Sequence, residues 1–223
     1  RFINLIYNYD FYAVSASNEE KKIINKILYE HYYLINLIIK HKKLDDLTIE
    51  ELKGFFLGSL IFAKNKKINI NLISNLLKKQ IDLNGFHRSY CPLNHTKFIN
   101  HLHEIKNIFL FFRIKIPDEL NFQIINMTSL LISLLHKDNT IALFNGSNNL
   151  FTTEVGKIIN YTKDLKSKII NNTTDGIAIY TDKNKKLFLD IVSPKSNFLH
   201  KNIHASTLSF EFSFNDEKII TNC

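Results

Sequence analysis

"HASTLSFEFSFNDEKIITNC", residues 204–223, decides the fold class of the C-terminal part of this chain. From Leu208 onward it alternates strictly. Leu208, Phe210, Phe212 and Phe214 point one way; Ser209, Glu211 and Ser213 point the other. A period of two is the mark of a strand with one face on a core, and the apolar set is expected to be the buried one. Asn215-Asp216 is a hairpin signal, and "KIITN" is its return strand. A histidine, His204, stands at the head of this strand.

Working back along the chain, the same character holds to about Asn139. "KLFLDIV" and "GIAIY", separated by a polar turn at Asp182 to Lys186, read as a second hairpin. "VGKIINYTKDL" reads as a short helix, and "TIALF" runs into the turn pair Asn145-Gly146. Before residue 138 the pattern is helical. Ser17-Asn18-Glu19-Glu20 and Thr48-Ile49-Glu50-Glu51 are capping boxes, in which a hydroxyl and a carboxylate satisfy free amides reciprocally. Behind the first, Ile23, Ile24, Ile27, Leu28, Leu34, Ile35 and Ile38 recur at helical spacing; the second opens a helix through "LKGFFLGSLIFA". "INLISNLLKKQI" is a third helix, stopped by Asn84-Gly85. Pro92 suits the first turn of a fourth, running to about Phe112, and Pro117-Asp118-Glu119 opens a fifth ending near His136-Lys137. Successive helices with short connections suggest stacked hairpins, whether a solenoid, a bundle or an α/α toroid. The chain is therefore α+β, with a helical domain over 1–138 and a sheet domain over 139–223.

The 223 residues carry a net charge of +8 and include 18 Phe and no Trp. Abundant Ile, Lys and Asn are what an AT-rich genome yields, and this explains part of the charge; an acidic partner explains it equally well. No aromatic-and-basic recognition surface accompanies the charge, so nucleic acid is not the expected partner. Two cysteines, Cys91 and Cys223, exclude a disulfide framework and a four-thiolate zinc site. No apolar run is long enough to span a bilayer, and "FINLIYNYDFYAV", broken by Asn and Asp, is neither signal peptide nor anchor. The chain starts at Arg1 and its only Met is Met127, which suggests a fragment of a longer protein.

Four stretches, in order from about Leu72 to the end, resemble the heparinase II/III-like polysaccharide lyase family, and most closely its proteobacterial branch. "NGFHRSYCPLNH" (84–95) resembles the family's loop between toroid helices, with its Asp-Gly-x-His and Ser-Pro-x-Tyr-His pattern. "HKDNTIALFNGS" (136–147) resembles its linker into the sheet domain, and "KLFLDIVSP" (186–194) its strand ending Asp-x-x-x-Pro. The opening stretch resembles its alternating strand containing S-F-E and closing on Asn-Cys-Gly. The resemblance implies an incomplete α/α toroid followed by a truncated antiparallel β-sandwich, with the active site in the cleft between them. It implies a lyase acting by β-elimination on an acidic, uronate-containing glycan, and a periplasmic or cell-envelope location in a Gram-negative bacterium. Zinc braces the sheet domain in some relatives; no cofactor is required for the reaction.

The resemblance also nominates residues. His204, His87 and Tyr90 are the catalytic candidates, and Arg88, Asn84, His95 and Asn202 the substrate-binding ones. A uronate lyase must neutralise a carboxylate, hold a base and protonate a leaving oxygen; an imidazole suits any of these, and Arg is the natural fork for a carboxylate. The pattern is incomplete. In the sheet motif His-x-His-x-Asp, the first His becomes Asn202 and the Asp becomes Ser206. The tyrosine position before His95 is Asn94, with Tyr90 four residues earlier, and Asp45-Asp46 stands where an Asn-His pair is usual. These departures support an alternative, a relative that binds glycans or performs another cleft reaction. His101 and His103 read as structural, Cys91 as inert, and the "KNKK" run at 64–67 as a solvated helix end.

Overall fold

A computed structural model describes residues 1–43, 46–63, 69–148, 152–161, 176–192 and 207–222. Helices come first: α1 (Phe2–Tyr7), α2 (Tyr9–Ala13), α3 (Asn18–His41), α4 (Ile49–Phe62), α5 (Asn71–Gln80), α6 (Pro92–Phe111), α7 (Asp118–Ser133) and α8 (Thr152–Tyr161). Four strands follow: β1 (Ile177–Asp182), β2 (Lys185–Asp190), β3 (Phe210–Phe214) and β4 (Glu217–Ile220). They form one antiparallel sheet in the order β1-β2-β3-β4. The fold is α+β. Both capping boxes form: Ser17 Oγ and Thr48 Oγ1 accept from the amides of Glu20 and Glu51, whose carboxylates reach back. α6 starts at Pro92, whose missing N–H costs nothing in a first turn. The N-terminal stretch 2–14, broken by Asn and Asp, forms the two short helices α1 and α2.

Two compact units divide the chain. One comprises Arg1–Leu76 and Glu104–Pro117. Its core gathers Phe2, Leu28 and Tyr32, with Ile24, Ile35 and Phe62 packed against them. Tyr32 stacks on Phe62 at 5.8 Å and lies flat against Gly58, where a Cβ would come within 2.3 Å of its ring. Any side chain at Gly58 would displace that ring. Lys53, buried on α4, pairs with Glu104 on α6.

The other unit comprises Leu77–His103 and Asp118–Cys223. Its core joins Phe86 and Tyr90 of the α5–α6 loop, Leu130 and Leu134 of the α7 region, Ala142 and Phe144, and Ile177, Ile179, Phe188 and Val192 of the sheet. The loop, α7 and the sheet thus share one core. α7 ends at Ser133, short of His136-Lys137, because the chain turns there and Leu135 bridges Ile141.

The alternation in β3 is present, but its burial is the reverse of the expected one. Glu211 is 1% exposed and Ser213 is buried, whereas Phe210 and Phe214 are each 42% exposed. The register explains this. Phe188 of β2 stands opposite Glu211, and Ile179 of β1 opposite Phe188, so the Glu211 side faces the core. The other side carries Ala178, Tyr180, Leu187, Leu189, Phe210, Phe212, Phe214 and Ile220, and among the described residues no second layer covers it. Leu208 is not in the strand. It is 71% exposed, with φ +71, in the turn that delivers the chain to β3.

Candidate functional site

The loop from Ile81 to Cys91 holds most of the described candidates. Its shape follows from Asp82, whose Oδ1 accepts from the amides of Asn84 (2.9 Å) and Phe86 (2.8 Å). This is the self-bonded turn that Asp favours. Gly85 adopts φ +92, and a Cβ there would lie 2.5 Å from the Asn126 amide. Ile81 bridges His87, and the Arg88 amide donates to the Gln80 carbonyl at 2.8 Å. Asn84 and Arg88 are partly exposed at this turn.

His87 is buried at 7% exposure. Its Nδ1 accepts from the Ser89 amide at 3.3 Å and stands 2.8 Å from Ser89 Oγ. Tyr90 adopts φ +50 and donates its hydroxyl to Asp82 Oδ2 at 3.2 Å. Its carbonyl accepts from Asn145 Nδ2 (3.1 Å), which also donates to Asp190 Oδ2 at the end of β2 (3.2 Å). Gly176 lets the sheet approach, since a Cβ there would sit 3.2 Å from the Tyr90 ring. Tyr90, Asn145 and Asp190 therefore tie the loop to the sheet.

His95 lies in the first turns of α6 and is 1% exposed. Its Nδ1 accepts from the His87 amide (3.2 Å) and its Nε2 donates to the Met127 carbonyl of α7 (2.9 Å). Both nitrogens serve backbone partners, which requires the neutral ring. Burial pushes the His95 pKa down to about 4, opposed in part by the Met127 carbonyl. At the start of α6, Ser147 Oγ accepts from the Leu93 amide and lies 3.4 Å from Cys91 Sγ.

His204 and Asn202 lie outside the described residues, as do Ser206 and His200. Among the described residues, no group of three His, Cys, Asp or Glu side chains could hold a metal ion, so nothing described fits a zinc. His101 and His103 sit on α6, and the His103 ring stacks on Tyr161 of α8 at 5.6 Å.

Sequence reading did not find a buried carboxylate–imidazole pair in this unit. Glu211 Oε1 accepts from the amides of Leu143 (3.0 Å) and Asn222 (3.1 Å), and Oε2 lies 2.8 Å from His136 Nε2. The two residues are 75 positions apart and both side chains are 1% exposed. No local signal announces the pair, because a Glu in an alternating strand is read as solvent-facing. Nearby, Lys186 donates to the Leu135 carbonyl and lies over the Phe188 ring at 5.2 Å. Burial lowers its pKa to about 8.

Residues 174–223, which contain all four strands, match the family model "Heparinase II/III-like, C-terminal". No curated protein matches the sequence. Among solved structures, heparinase III is similar with a TM-score of 0.71 at 11% identity, covering 95% of this chain and 40% of that one. A heparinase III gene product gives 0.66 at 14%, covering 88% of this chain and 35% of its own. The heparan sulfate lyase HepC from Pedobacter heparinus gives 0.60 at 15%, with the same coverages of 88% and 35%. At these identities the likeness is one of fold, and the chain spans 35% to 40% of the length of those proteins. By sequence over its sheet, and by fold over most of its length, the chain is similar to the heparinase II/III-like proteins.

Proposed function

We propose that this chain is part of a polysaccharide lyase that cleaves an acidic, uronate-containing glycan by β-elimination. The observation that carries the reading is the family match over residues 174–223, a span that includes His204 and β3. The net charge of +8 suits a polyanionic substrate. In the reaction a base removes the proton α to the uronate carboxylate, the bond to the 4-linked oxygen breaks, and that oxygen takes up a proton. Arg88, partly exposed on its turn, is assigned to the carboxylate, with Asn84 and Asn202 as further contacts. His204 is assigned to proton transfer, with His87 and Tyr90 as the other catalytic candidates. What supports a shared site is that the loop carrying Arg88 and the sheet belong to one compact unit, joined through Tyr90, Asn145 and Gly176. A periplasmic or cell-envelope location goes with this reading. Among the described residues, no helix is long and apolar enough to cross a membrane.

A second reading, a glycan-binding relative without lyase activity, is favoured by specific geometry. Both nitrogens of His95 are committed to backbone, and the Tyr90 hydroxyl is committed to Asp82. Incubation with heparin-type glycans, alginate and other uronates separates the two. The lyase reading predicts a rise in ultraviolet absorbance from the unsaturated product, abolished by His204→Ala. Retention of a glycan with no absorbance change across the panel would establish the second reading instead.

A further inference from the structure

We propose that α3 pairs antiparallel with α3 of a second copy of this chain, along an exposed apolar stripe that reads the same from either end. Of its 24 residues, only Leu28 and Tyr32 are buried. Ile24 and Ile35 pack beside them on the core of their unit. Ile23, Ile27, Leu34 and Ile38 do not share that core; they are 59%, 45%, 56% and 40% exposed. At roughly 100° per residue these four fall within about 60° of arc, in a row about 22 Å long. The helix thus carries a second apolar face beside the one that the fold uses.

The spacing of the stripe identifies what covers it. A twofold axis passing between Glu30 and His31 sets Ile23 against the second copy's Ile38, and Ile27 against its Leu34. The same contacts recur in reverse, which is the self-complementarity that an isologous interface requires. The polar positions on the stripe obey the same axis. Glu30 falls opposite the second copy's His31, and Glu20 opposite its His41, so along this line each carboxylate meets an imidazole. Glu30 and His41 are exposed and His31 is partly exposed. Among the described residues, neither Glu30 nor His31 makes a hydrogen bond or ion pair. Glu20 uses Oε2 for the Ser17 amide, at 2.7 Å.

One end of the stripe is shaped to receive the other. Tyr12, Ser15 and Ala16, from α2 and the turn after it, join Glu20, Ile23 and Ile24 around an open pocket of about 360 Å³. The twofold axis brings the second copy's Ile38 to this pocket and its His41 beside Glu20, and each copy offers the same seat to the other. A single helix pair covers less than the roughly 800 Å² per partner of a standard interface, so the dimer is expected to be reversible, with a dissociation constant on the order of 10–100 μM.

Sedimentation equilibrium of the full chain, from a tenth to ten times the expected dissociation constant, tests this. A monomer–dimer equilibrium is the expected result. Ile27→Glu sets a carboxylate against the second copy's Leu34, twice per dimer, and should weaken association at least about tenfold. Glu30→Lys removes both central carboxylate–imidazole pairs and should weaken it about several-fold. Glu30→Lys combined with His31→Glu restores opposite charges across the axis and should recover the loss. All these positions are exposed or partly exposed, and circular dichroism checks that α3 is intact in each variant. A chain that stays monomeric over the whole range overturns the proposal. So does a dimer indifferent to Ile27→Glu, which would lie on another surface, such as the open face of the sheet. A dimer that the double substitution leaves as weak as Glu30→Lys alone overturns the antiparallel register. If Ile27→Glu does not fold, the loss and recovery in the two Glu30→Lys variants decide the matter.

Discussion

The two faces of the four-stranded sheet differ in a way that composition alone would misjudge. The side away from the core is wholly apolar across its middle, with Leu187, Leu189, Phe210 and Phe212 in adjacent register. The core side mixes Ile177, Ile179 and Phe188 with Asp190, Glu211 and Ser213. Yet it is the mixed side that is buried. A polar group can be buried at little cost once its hydrogen-bonding positions find partners, and both carboxylates do. Asp190 receives Asn145 and the Val192 amide; Glu211 receives three donors. The lesson is that burial follows the available partners as well as the apolar count. A sheet with one apolar face open is also what one half of a sandwich looks like.

The largest effect is expected at Glu211. Glu211→Ala would leave His136 Nε2 and two backbone amides without an acceptor in a site from which water is excluded. The expected loss is about 3–5 kcal/mol, the range for removing one member of a buried polar pair. Denaturant unfolding measures it, and a loss under about 1 kcal/mol would mean that Glu211 is solvated.

A somewhat smaller effect belongs to His95, which sharpens the account of the loop. Its pKa is pushed from the usual 6.5 to about 4, so the folded state holds the neutral ring while the unfolded state binds a proton below 6.5. The stabilisation is therefore fully present above pH 6.5 and is lost as pH falls from there towards 4. A shift of that size corresponds to about 3 kcal/mol. A stability profile for His95→Gln that parallels the unaltered protein through this window would contradict the assignment.

Much of the fold could be read in the sequence because the deciding signals are local. The capping boxes at Ser17 and Thr48, Pro92 at the start of α6 and the Asn215-Asp216 turn each act within four residues, and each formed. The periodicity of 177–190 and 210–220 fixed the strands and their pairing partners. What could not be read depends on residues far apart in the chain. The face of β3 that turns inward is set by Phe86, Leu130 and Phe144, and by a histidine 75 positions away. Of the site, the turn at Asn84-Gly85 was legible from its Gly. The burial of His87 and His95 was not, since each is enclosed by partners from elsewhere in the fold.

The core, the loop attachment and the burial of Glu211 all rest on the orientation of the sheet, and one pair of substitutions tests it directly. Phe188→Ala and Phe210→Ala remove the same side chain from opposite faces, with the stability of each variant measured by denaturant unfolding. Phe188 is fully buried, so its loss should cost about 3–5 kcal/mol. Phe210 is 42% exposed, so its loss should cost about 1 kcal/mol. A gap of at least about 2 kcal/mol in favour of Phe188 is the predicted result. Equal losses, or a greater loss at Phe210, would mean that the phenylalanine face is the buried one and that Glu211 points to solvent.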